Sequence, residues 1–168
     1  MKSKNSLQDT MAANKNLMIR SRISLVEAGS LKDPVGAAVQ LMRESWLHRR
    51  WTIADFERLI LPPIELNQCV FARLGFDLIG FVSWALFSNE ASQAFAEKVR
   101  PLQARDWQSG SNLWIIDFMS SPGEGGYIAN AVLAHLSVLY PDQKIAQAIR
   151  YKRSGIQRRI VSWTMAAR

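Results

Sequence analysis

The sequence is poor in the residues from which disulfide frameworks and metal sites are built. It contains one cysteine, Cys69, and two histidines, His48 and His135, among 168 residues. A single cysteine excludes an internal disulfide, and its place within an apolar run predicts a buried, unreactive thiol in a reducing compartment. No group of cysteine, histidine and aspartate residues has the spacing of metal ligands, so we predict no metal site.

Long apolar runs are also missing. No stretch approaches the roughly 20 apolar residues that cross a bilayer, so we expect no stable membrane insertion. The amino terminus lacks the apolar core and small-residue cleavage site of a secretion signal, which predicts a cytoplasmic protein. Length and composition predict a single domain over residues 31–168, preceded by a flexible, basic arm over residues 1–30.

Acidic residues are absent after Asp142, and this gives the chain a basic end. The net charge is +7, and the isoelectric point is near 10.0. Such a charge attracts nucleic acid, an anionic membrane or an acidic protein, whereas a solvated basic strand edge that discourages aggregation explains it equally well. The basic residues that follow Asp142 are Lys144, Arg150, Lys152, Arg153, Arg158, Arg159 and Arg168.

The stretch Arg43–Trp51, which reads R-E-S-W-L-H-R-R-W, contains a candidate catalytic base. His48 follows Ser45 by three residues, so both side chains share a face if the segment is the last turn of a helix. Neutral imidazole accepts a proton near pH 7, and the neighbouring charges of Arg49 and Arg50 disfavour imidazolium.

Two interpretations of the tryptophans in this stretch remain open at this point. Trp46 and Trp51 either wall a site and exclude water from it, or they are core residues. In the second case the stretch is a helix end whose histidine and arginines complement the last carbonyl groups.

Asp117 is a second candidate, because it is the one carboxylate in the apolar strand predicted over Leu113–Met119. A buried carboxylate is costly unless it is paired or protonated. Asp117 is therefore either a structural, hydrogen-bonded residue or the residue that orients a catalytic histidine.

Glycines precede the helix predicted over Tyr127–Tyr140. Gly123, Gly125 and Gly126 in the string S-S-P-G-E-G-G allow backbone amides to approach a phosphate. Glycine before a helix is more often only a turn, so this signal by itself is weak.

Capping residues and apolar periodicity predict an α/β (α+β) chain with four helices and five strands. Their order resembles an acetyltransferase-type fold, in which a mostly antiparallel central sheet is flanked by helices. The predicted helices are Pro34 into Ser45–His48, Thr52–Ile60 ended by Pro62-Pro63, Asn89–Arg100 and Tyr127–Tyr140. The predicted strands are Gln68–Leu74 and Leu78–Leu86, which form a hairpin, then Leu113–Met119, Ile145–Tyr151 and Ile156–Thr164, the last of which is alternatively a helix.

An ordered set of short strings between about Val39 and Arg150 resembles the RTX toxin-activating lysine acyltransferases, which include the hemolysin activators. The strings are S-W-L-H-R-R-W, L-P-P-I with Gln68, V-S-W-A, D-W-Q-S-G, W-I-I-D-F with S-P-G, and A-I-R. The resemblance implies transfer of a fatty acyl chain from acyl carrier protein to internal lysines of an RTX-type protoxin in the bacterial cytoplasm. It implies acyl carrier protein, with its phosphopantetheine thioester, as co-substrate, no tightly bound cofactor and no nucleic-acid partner, and it leaves a homodimer open.

The family's essential histidine falls on His48, its serine on Ser45 and its aspartate on Asp117. In the implied mechanism His48 takes the proton of the acceptor lysine, and Asp117 holds the ring tautomer and stabilises imidazolium. Ser45 either positions the histidine or donates to the thioester oxygen, and a covalent acyl-serine stays open. The chain departs from the family pattern at Trp46, where proline is usual, and in both tails. The tail differences are expected to affect acceptor recognition and dimer contacts more than the chemistry.

The donor is expected to bind through Gly123, Gly125, Gly126, Arg158 and Arg159. The glycines would meet the single phosphate of the pantetheine arm, and the arginines would meet the acidic carrier. The apolar residues of the hairpin would line a groove for the acyl chain.

Two other functions compete with this interpretation. An acyl-CoA-dependent N-acyltransferase of another amine or protein is supported by the glycine turn, but the chain lacks a Q/R-x-x-G-x-G/A signature. A non-catalytic basic module for nucleic acid or an acidic protein is supported by the charge, but it leaves Ser45, His48 and Asp117 unexplained.

Overall fold

The computed structural model describes residues 23–151 and 158–165. They form a six-stranded sheet in which the strands lie in sequence order, with helices on both faces. The strands are β1 (Ile23–Glu27), β2 (Cys69–Leu74), β3 (Asp77–Phe87), β4 (Asn112–Ser120), β5 (Ile145–Tyr151) and β6 (Arg158–Thr164). The helices are α1 (Pro34–Glu44), α2 (Ile53–Leu59), α3 (Leu61–Glu65), α4 (Asn89–Glu97) and α5 (Gly125–Leu139).

Every neighbouring pair of strands is antiparallel except β4 and β5, which are parallel and joined through α5. A parallel pair needs such a crossover, because a tight hairpin cannot return the chain to the same end of the sheet. The β4–β5 ladder runs from Leu113 paired with Ala146 to Ile115 paired with Ala148. Both strands continue past it, β4 to Ser120 and β5 to Tyr151, so they part beyond the ladder. The predicted mostly antiparallel sheet is confirmed.

Local capping signals in the sequence are confirmed. The Asp33 side chain accepts a hydrogen bond from the Gly36 amide at 2.8 Å, which caps α1 just before Pro34. Thr52 and Asp55 form the reciprocal capping box that opens α2. The predicted β2–β3 hairpin also forms, with Gly75 in its turn at φ 63°.

Three predicted boundaries and one predicted stop signal are wrong. Strand β1 lies inside the predicted arm, while residues 1–22 are outside the described part of the chain. Helix α1 ends at Glu44, because Ser45 is extended with φ −83° and ψ 121°. Pro62 and Pro63 do not end a helix but lie in the first turn of α3, where their missing N–H groups cost little. Helix α4 stops at Glu97, because Lys98 adopts the left-handed conformation with φ 57°.

The core lies on both faces of the sheet. On one face α5 packs through Ile128, Val132 and Leu136. On the other face α1–α4 cover two apolar clusters that share α2, which contributes Phe56 to one and Leu59 to the other. The α5-side cluster includes Val70, Val82, Trp84, Leu113, Ile115, Ala146 and Ala148, and the opposite clusters include Leu41, Ile60, Cys69, Phe71, Phe81, Ala85, Phe87, Trp107, Trp114 and Met119.

Cys69 and His135 both lie against the hydrophobic core. Cys69 is 1% exposed, and burial raises the pKa of its thiol to about 12, which confirms the predicted unreactive cysteine. His135 is half-buried on α5, with its ring 6.1 Å from that of Trp84, so it lies at the edge of the core.

A bulge in β4 decides which way Asp117 points. Ser83 pairs with Asp117, but Trp84 pairs with Ile115, so Ile116 has no partner of its own in β3. Before the bulge Ile115 faces α5, and after it Met119 faces the opposite side. In a regular strand residues 115, 117 and 119 would all share one face, so the bulge turns Asp117 towards α1–α3.

The D-W-Q-S-G string forms the loop that precedes β4. Asp106 accepts two hydrogen bonds from the Arg100 guanidinium, at 2.6 and 2.8 Å, which lowers the pKa of this carboxyl. Trp107 is fully buried, and its carbonyl accepts a hydrogen bond from the Leu86 amide at 2.9 Å. A β-carbon on Gly110 would lie 2.6 Å from the Ser88 Cα, so glycine is required by close backbone contact.

We therefore expect Gly110→Ala to lower the free energy of unfolding by about 1–3 kcal/mol, because the backbone of Ser88 must move aside. Gly126→Ala is the matched control. A β-carbon at Gly126, which is helical, meets nothing within 4 Å, so this change should be neutral or stabilise by up to about 1 kcal/mol. Urea unfolding followed by circular dichroism compares both variants with the wild type, and equal midpoints for Gly110→Ala and wild type would contradict the packing argument.

Candidate active site

The site is built from the loop between α1 and α2. The chain leaves α1 in an extended conformation at Ser45 and then forms a single 3₁₀ turn over His48–Arg50. The Arg49 amide donates to the Ser45 carbonyl at 3.1 Å, and the Trp51 amide donates to the His48 carbonyl at 2.9 Å. These backbone bonds fix the loop so that the His48 ring is directed inward, where the residue is 3% exposed.

His48 is hydrogen-bonded through both ring nitrogens. Nε2 lies 2.7 Å from Asp117 Oδ1, and Nδ1 lies 2.6 Å from Ser45 Oγ. An ionised carboxylate only accepts hydrogen bonds, so Nε2–H donates to Asp117. Nδ1 is then the unprotonated nitrogen of the neutral ring, and it accepts the Ser45 hydroxyl. The three side chains form a continuous chain of donors and acceptors from serine to aspartate.

Asp117 is 8% exposed. Its Oδ1 also accepts the backbone N–H of Phe118 at 2.8 Å, whereas Oδ2 is buried and has no hydrogen-bond partner among the described residues. Hydrogen bonds from an amide and an imidazole compensate part of the cost of burying the charge. Of the two sequence interpretations, the geometry fits the residue that orients a histidine.

The two tryptophans of the loop have different surroundings. The Trp51 ring packs against the His48 ring, with centroids 4.5 Å apart and planes inclined by 57°. Trp46 is 54% exposed, so it is not a core residue, and no ring contact places it against His48. Arg49 and Arg50 are exposed on the solvent side of the same loop. Trp51 is therefore the tryptophan that shields the imidazole.

The glycines predicted to bind the donor lie at the start of α5. Gly123 has φ +87° and makes the turn out of β4, while Gly125 and Gly126 are the first residues of the helix. A β-carbon on Gly125 would lie 3.1 Å from Ser120 Oγ, so this glycine also serves packing. The Glu124 side chain does not cap the helix. None of these glycines contributes to the hydrogen-bonded chain at His48.

The predicted donor arginines lie on β6, at the edge of the sheet. Arg159 is exposed and pairs across the strands with Arg150 of β5. The side chain of Arg158 lies outside the described part of the structure. Since β5 separates β6 from β4, these arginines are not neighbours of Asp117.

The apolar hairpin residues do not line an open groove. Val70, Phe71, Phe81 and Val82 are each at most 1% exposed and belong to the core clusters. This part of the sequence prediction is wrong, because strands β2 and β3 lie inside the sheet and are covered on both faces.

A polar cleft of about 350 Å³ exists elsewhere, at the start of α4. Its lining residues are Ser88, Glu90, Ala91, Arg100, Arg105, Asp106 and Ser109, none of which belongs to the hydrogen-bonded chain.

Sequence reasoning missed Ser83. It is fully buried, and it is the residue directly opposite Asp117 in the β3–β4 ladder. The string V-S-W-A contained it, but strand alternation could not pair it with Asp117 because the bulge at Ile116 is not visible in the sequence.

The described residues contain neither a metal site nor a membrane-spanning helix. Over 23–151 and 158–165, no group of three or more histidine, cysteine, aspartate or glutamate side chains could hold a metal ion. Within the same ranges, no helix has the length and apolar character needed to span a bilayer.

The fold is similar to that of a solved enzyme. That structure is a GphF GNAT-like decarboxylase in complex with isobutyryl-CoA, with a TM-score of 0.53 and 18% sequence identity over 79% of this chain and 67% of that one. The likeness confirms the acetyltransferase-like fold predicted from the sequence.

Comparison of sequences identifies the family. Lysine-acyltransferase RtxC of Vibrio cholerae serotype O1 is 28% identical over 116 residues, which cover 68% of this chain and 76% of that protein. Protein-lysine myristoyltransferase HlyC of Escherichia coli is 32% identical over 116 residues, covering 69% of this chain and 65% of its own length. RTX-I toxin-activating lysine-acyltransferase ApxIC of Actinobacillus pleuropneumoniae is also 32% identical, over 69% of this chain and 64% of that protein. A family model described as HlyC, the RTX toxin acyltransferase family, matches residues 30–164. Since that match includes both the loop of His48 and the strand of Asp117, the chain belongs to the RTX toxin acyltransferase family.

Proposed function

We propose that this protein transfers a fatty acyl group from acyl carrier protein to internal lysine side chains of an RTX-type protoxin, and so activates the toxin. The observation that carries the proposal is the buried chain of hydrogen bonds through Ser45, His48 and Asp117 in a member of this family. It supplies a base whose tautomer is fixed, which is what acylation of an amine requires.

The base is needed because a lysine amine with a pKa near 10.4 is protonated at neutral pH and has no free lone pair. Since Nε2 of His48 is held by Asp117, the accepting atom is Nδ1. The Ser45 hydroxyl occupies that position at 2.6 Å, so an incoming amine meets Ser45 Oγ before it meets the ring. The lysine proton passes to Ser45 Oγ as the Ser45 proton passes to Nδ1.

The transfer then balances without any other reactant. The lysine nitrogen forms a bond to the thioester carbonyl carbon, and the carbon–sulfur bond breaks to release the pantetheine thiolate. Imidazolium returns that proton to the sulfur through Ser45, and the second proton that the nitrogen loses on becoming an amide passes to solvent. Asp117 stabilises imidazolium while it exists, and Trp51 keeps water away from the ring.

The donor would approach at the carboxyl ends of β4 and β5. These strands are parallel and part after Ile115 and Ala148, so their facing backbone groups are available to the amides of a pantetheine arm. Asp117 follows directly in the part of β4 beyond the ladder. A thioester held there would be close to β4, the strand whose Asp117 binds His48.

Charge at the same end of the sheet suits an acidic carrier. Arg150 and Arg159 are both exposed and directly opposite each other on β5 and β6. Like charges in that position repel, and an anionic partner relieves the repulsion. Ala148 and Val161, two residues away on each strand, pack on the α5 side, so the arginines face that side too.

The amino terminus of α5 lies at this same end, because α5 begins just after β4 ends at Ser120. The amides of Gly125 and Gly126 begin the helix, and the side chain before them does not cap it. One phosphate group, as in the carrier's pantetheine arm, fits such a terminus better than a pyrophosphate that would need a longer cradle.

We expect His48→Ala to reduce kcat by about 10²–10⁴-fold, because the base is removed. The assay is mass spectrometry of an acceptor lysine peptide from an RTX-type protoxin with acyl carrier protein as donor. His135→Gln is the matched control and should keep near-normal turnover, since His135 lies on α5 away from the hydrogen-bonded chain. Near-normal turnover of folded His48→Ala would overturn the mechanism.

Asp117→Asn should lower kcat with little change in KM, because an amide cannot stabilise imidazolium by charge. A loss of about 2–4 kcal/mol in transition-state stabilisation is expected for such a group.

Mass spectrometry of the intact protein separates a proton relay through Ser45 from covalent catalysis. The wild type is incubated with the acyl donor alone, and Ser45 variants are the controls. A stable acyl adduct on Ser45 that transfers to lysine would replace the relay by an acyl-serine.

The donor prediction is tested by comparing acyl carrier protein with coenzyme A as acyl carriers across a salt series. Opposite charges accelerate encounter and lose effect as ionic strength rises. We expect a preference for the carrier protein that weakens with salt and with Arg159→Glu. Arg105→Glu, an exposed reversal at another part of the surface, is the control. Preference for acyl-coenzyme A, unaffected by salt or by Arg159→Glu, would favour a different acyl donor.

A further inference from the structure

Two buried polar atoms without partners lie on residues that are directly opposite each other. Ser83 is fully buried and Asp117 is 8% exposed. Ser83 Oγ and Asp117 Oδ2 have no hydrogen-bond partner among the described residues. The two residues are register partners in β3 and β4. Buried polar groups are rarely left unpaired, so two of them on adjacent strands require an explanation.

The geometry allows the two groups to meet. Side chains of directly opposed residues project from the same face of the sheet, with β-carbons about 4.5–5.5 Å apart. A serine Oγ has three staggered positions about the Cα–Cβ bond, and an aspartate carboxylate extends one atom further. The separation is closed either by direct contact or by one water molecule.

Ser83 is the polar neighbour of Asp117 within the sheet. On its other side Ser83 pairs with Cys69, whose pKa is raised to about 12 and whose thiol is therefore protonated and a weak donor. Phe81 and Met119, the next pair along the same face, are buried and apolar. Asp117 Oδ2 is therefore the unpaired carboxylate oxygen on the residue directly opposite this hydroxyl in the sheet.

We propose that Ser83 is a positioning residue for Asp117: its hydroxyl donates to Oδ2, directly or through one buried water. Oδ1 already accepts from His48 Nε2 and the Phe118 amide. A third donor on Oδ2 stops the carboxylate from rotating and keeps Oδ1 directed at the ring. The role in catalysis rests on the proposed function, but the hydrogen bond itself does not.

The kinetic test uses Ser83→Ala and Ser83→Thr. Loss of a hydrogen bond to a charged group should reduce kcat of Ser83→Ala by about tenfold to a hundredfold with KM unchanged. Threonine keeps the hydroxyl and should restore most of the rate. Cys69→Ala, on the same row of the sheet but one strand further from Asp117, is the matched control and should keep its kcat. Full kcat in Ser83→Ala, or no recovery in a folded Ser83→Thr, would overturn the proposal.

A measurement on the free protein separates this inference from the proposed function. The chain has two histidines, so the Nε2 proton of His48 is assigned in ¹H–¹⁵N NMR spectra by its loss in His48→Ala. We expect Ser83→Ala to move or broaden this signal and Cys69→Ala to leave it in place. An unchanged signal in Ser83→Ala contradicts the hydrogen bond even if acyl transfer is confirmed. A shifted signal supports it even if the acyl donor or acceptor proves different.

Discussion

The hydrogen bond from His48 Nε2 to Asp117 Oδ1 is the interaction on which the site depends. It joins residues 69 positions apart in the sequence and is almost fully buried. A carboxylate in that position is stable only with donors around it, and a histidine in that position has a single tautomer only because of the carboxylate. Each group therefore stabilises the other in its buried position. The remaining ring nitrogen, Nδ1, is available to Ser45 and to the proposed proton transfer.

The sheet separates the two halves of the proposed reaction. The base lies on the face covered by α1–α3, where apolar side chains and Trp51 surround it. The exposed Arg150 and Arg159 lie on the α5 face, at the end where β4 and β5 part. Strand β4 connects both, because it carries Asp117 on one face and leads into the first turn of α5. In the proposed reaction the donor would approach from the α5 face, while the base acts from the opposite face.

Local signals in the sequence determined most of the elements. The caps at Asp33 and Thr52, the hairpin around Gly75 and the long apolar stripe of α5 each depend on residues a few positions apart, so the chain encodes them without tertiary contacts. The resemblance to a family also pointed to Ser45, His48 and Asp117. What it could not give was the geometry, since a helix through Ser45–His48 was predicted where the chain forms an extended residue and a 3₁₀ turn.

By itself, then, the sequence determined the order of most elements, the scarcity of reactive groups and the identity of the candidate base. Only the tertiary structure decided how these groups meet. The unpaired Ile116 reverses the alternation of β4, and without it Asp117 would face α5 and not His48. Strand alternation is a local rule, whereas a bulge is set by how two strands pack against a whole sheet. The same holds for Ser83, which lies 34 positions before Asp117 in the sequence and opposite it in the ladder, because register belongs to the pair of strands and not to either one.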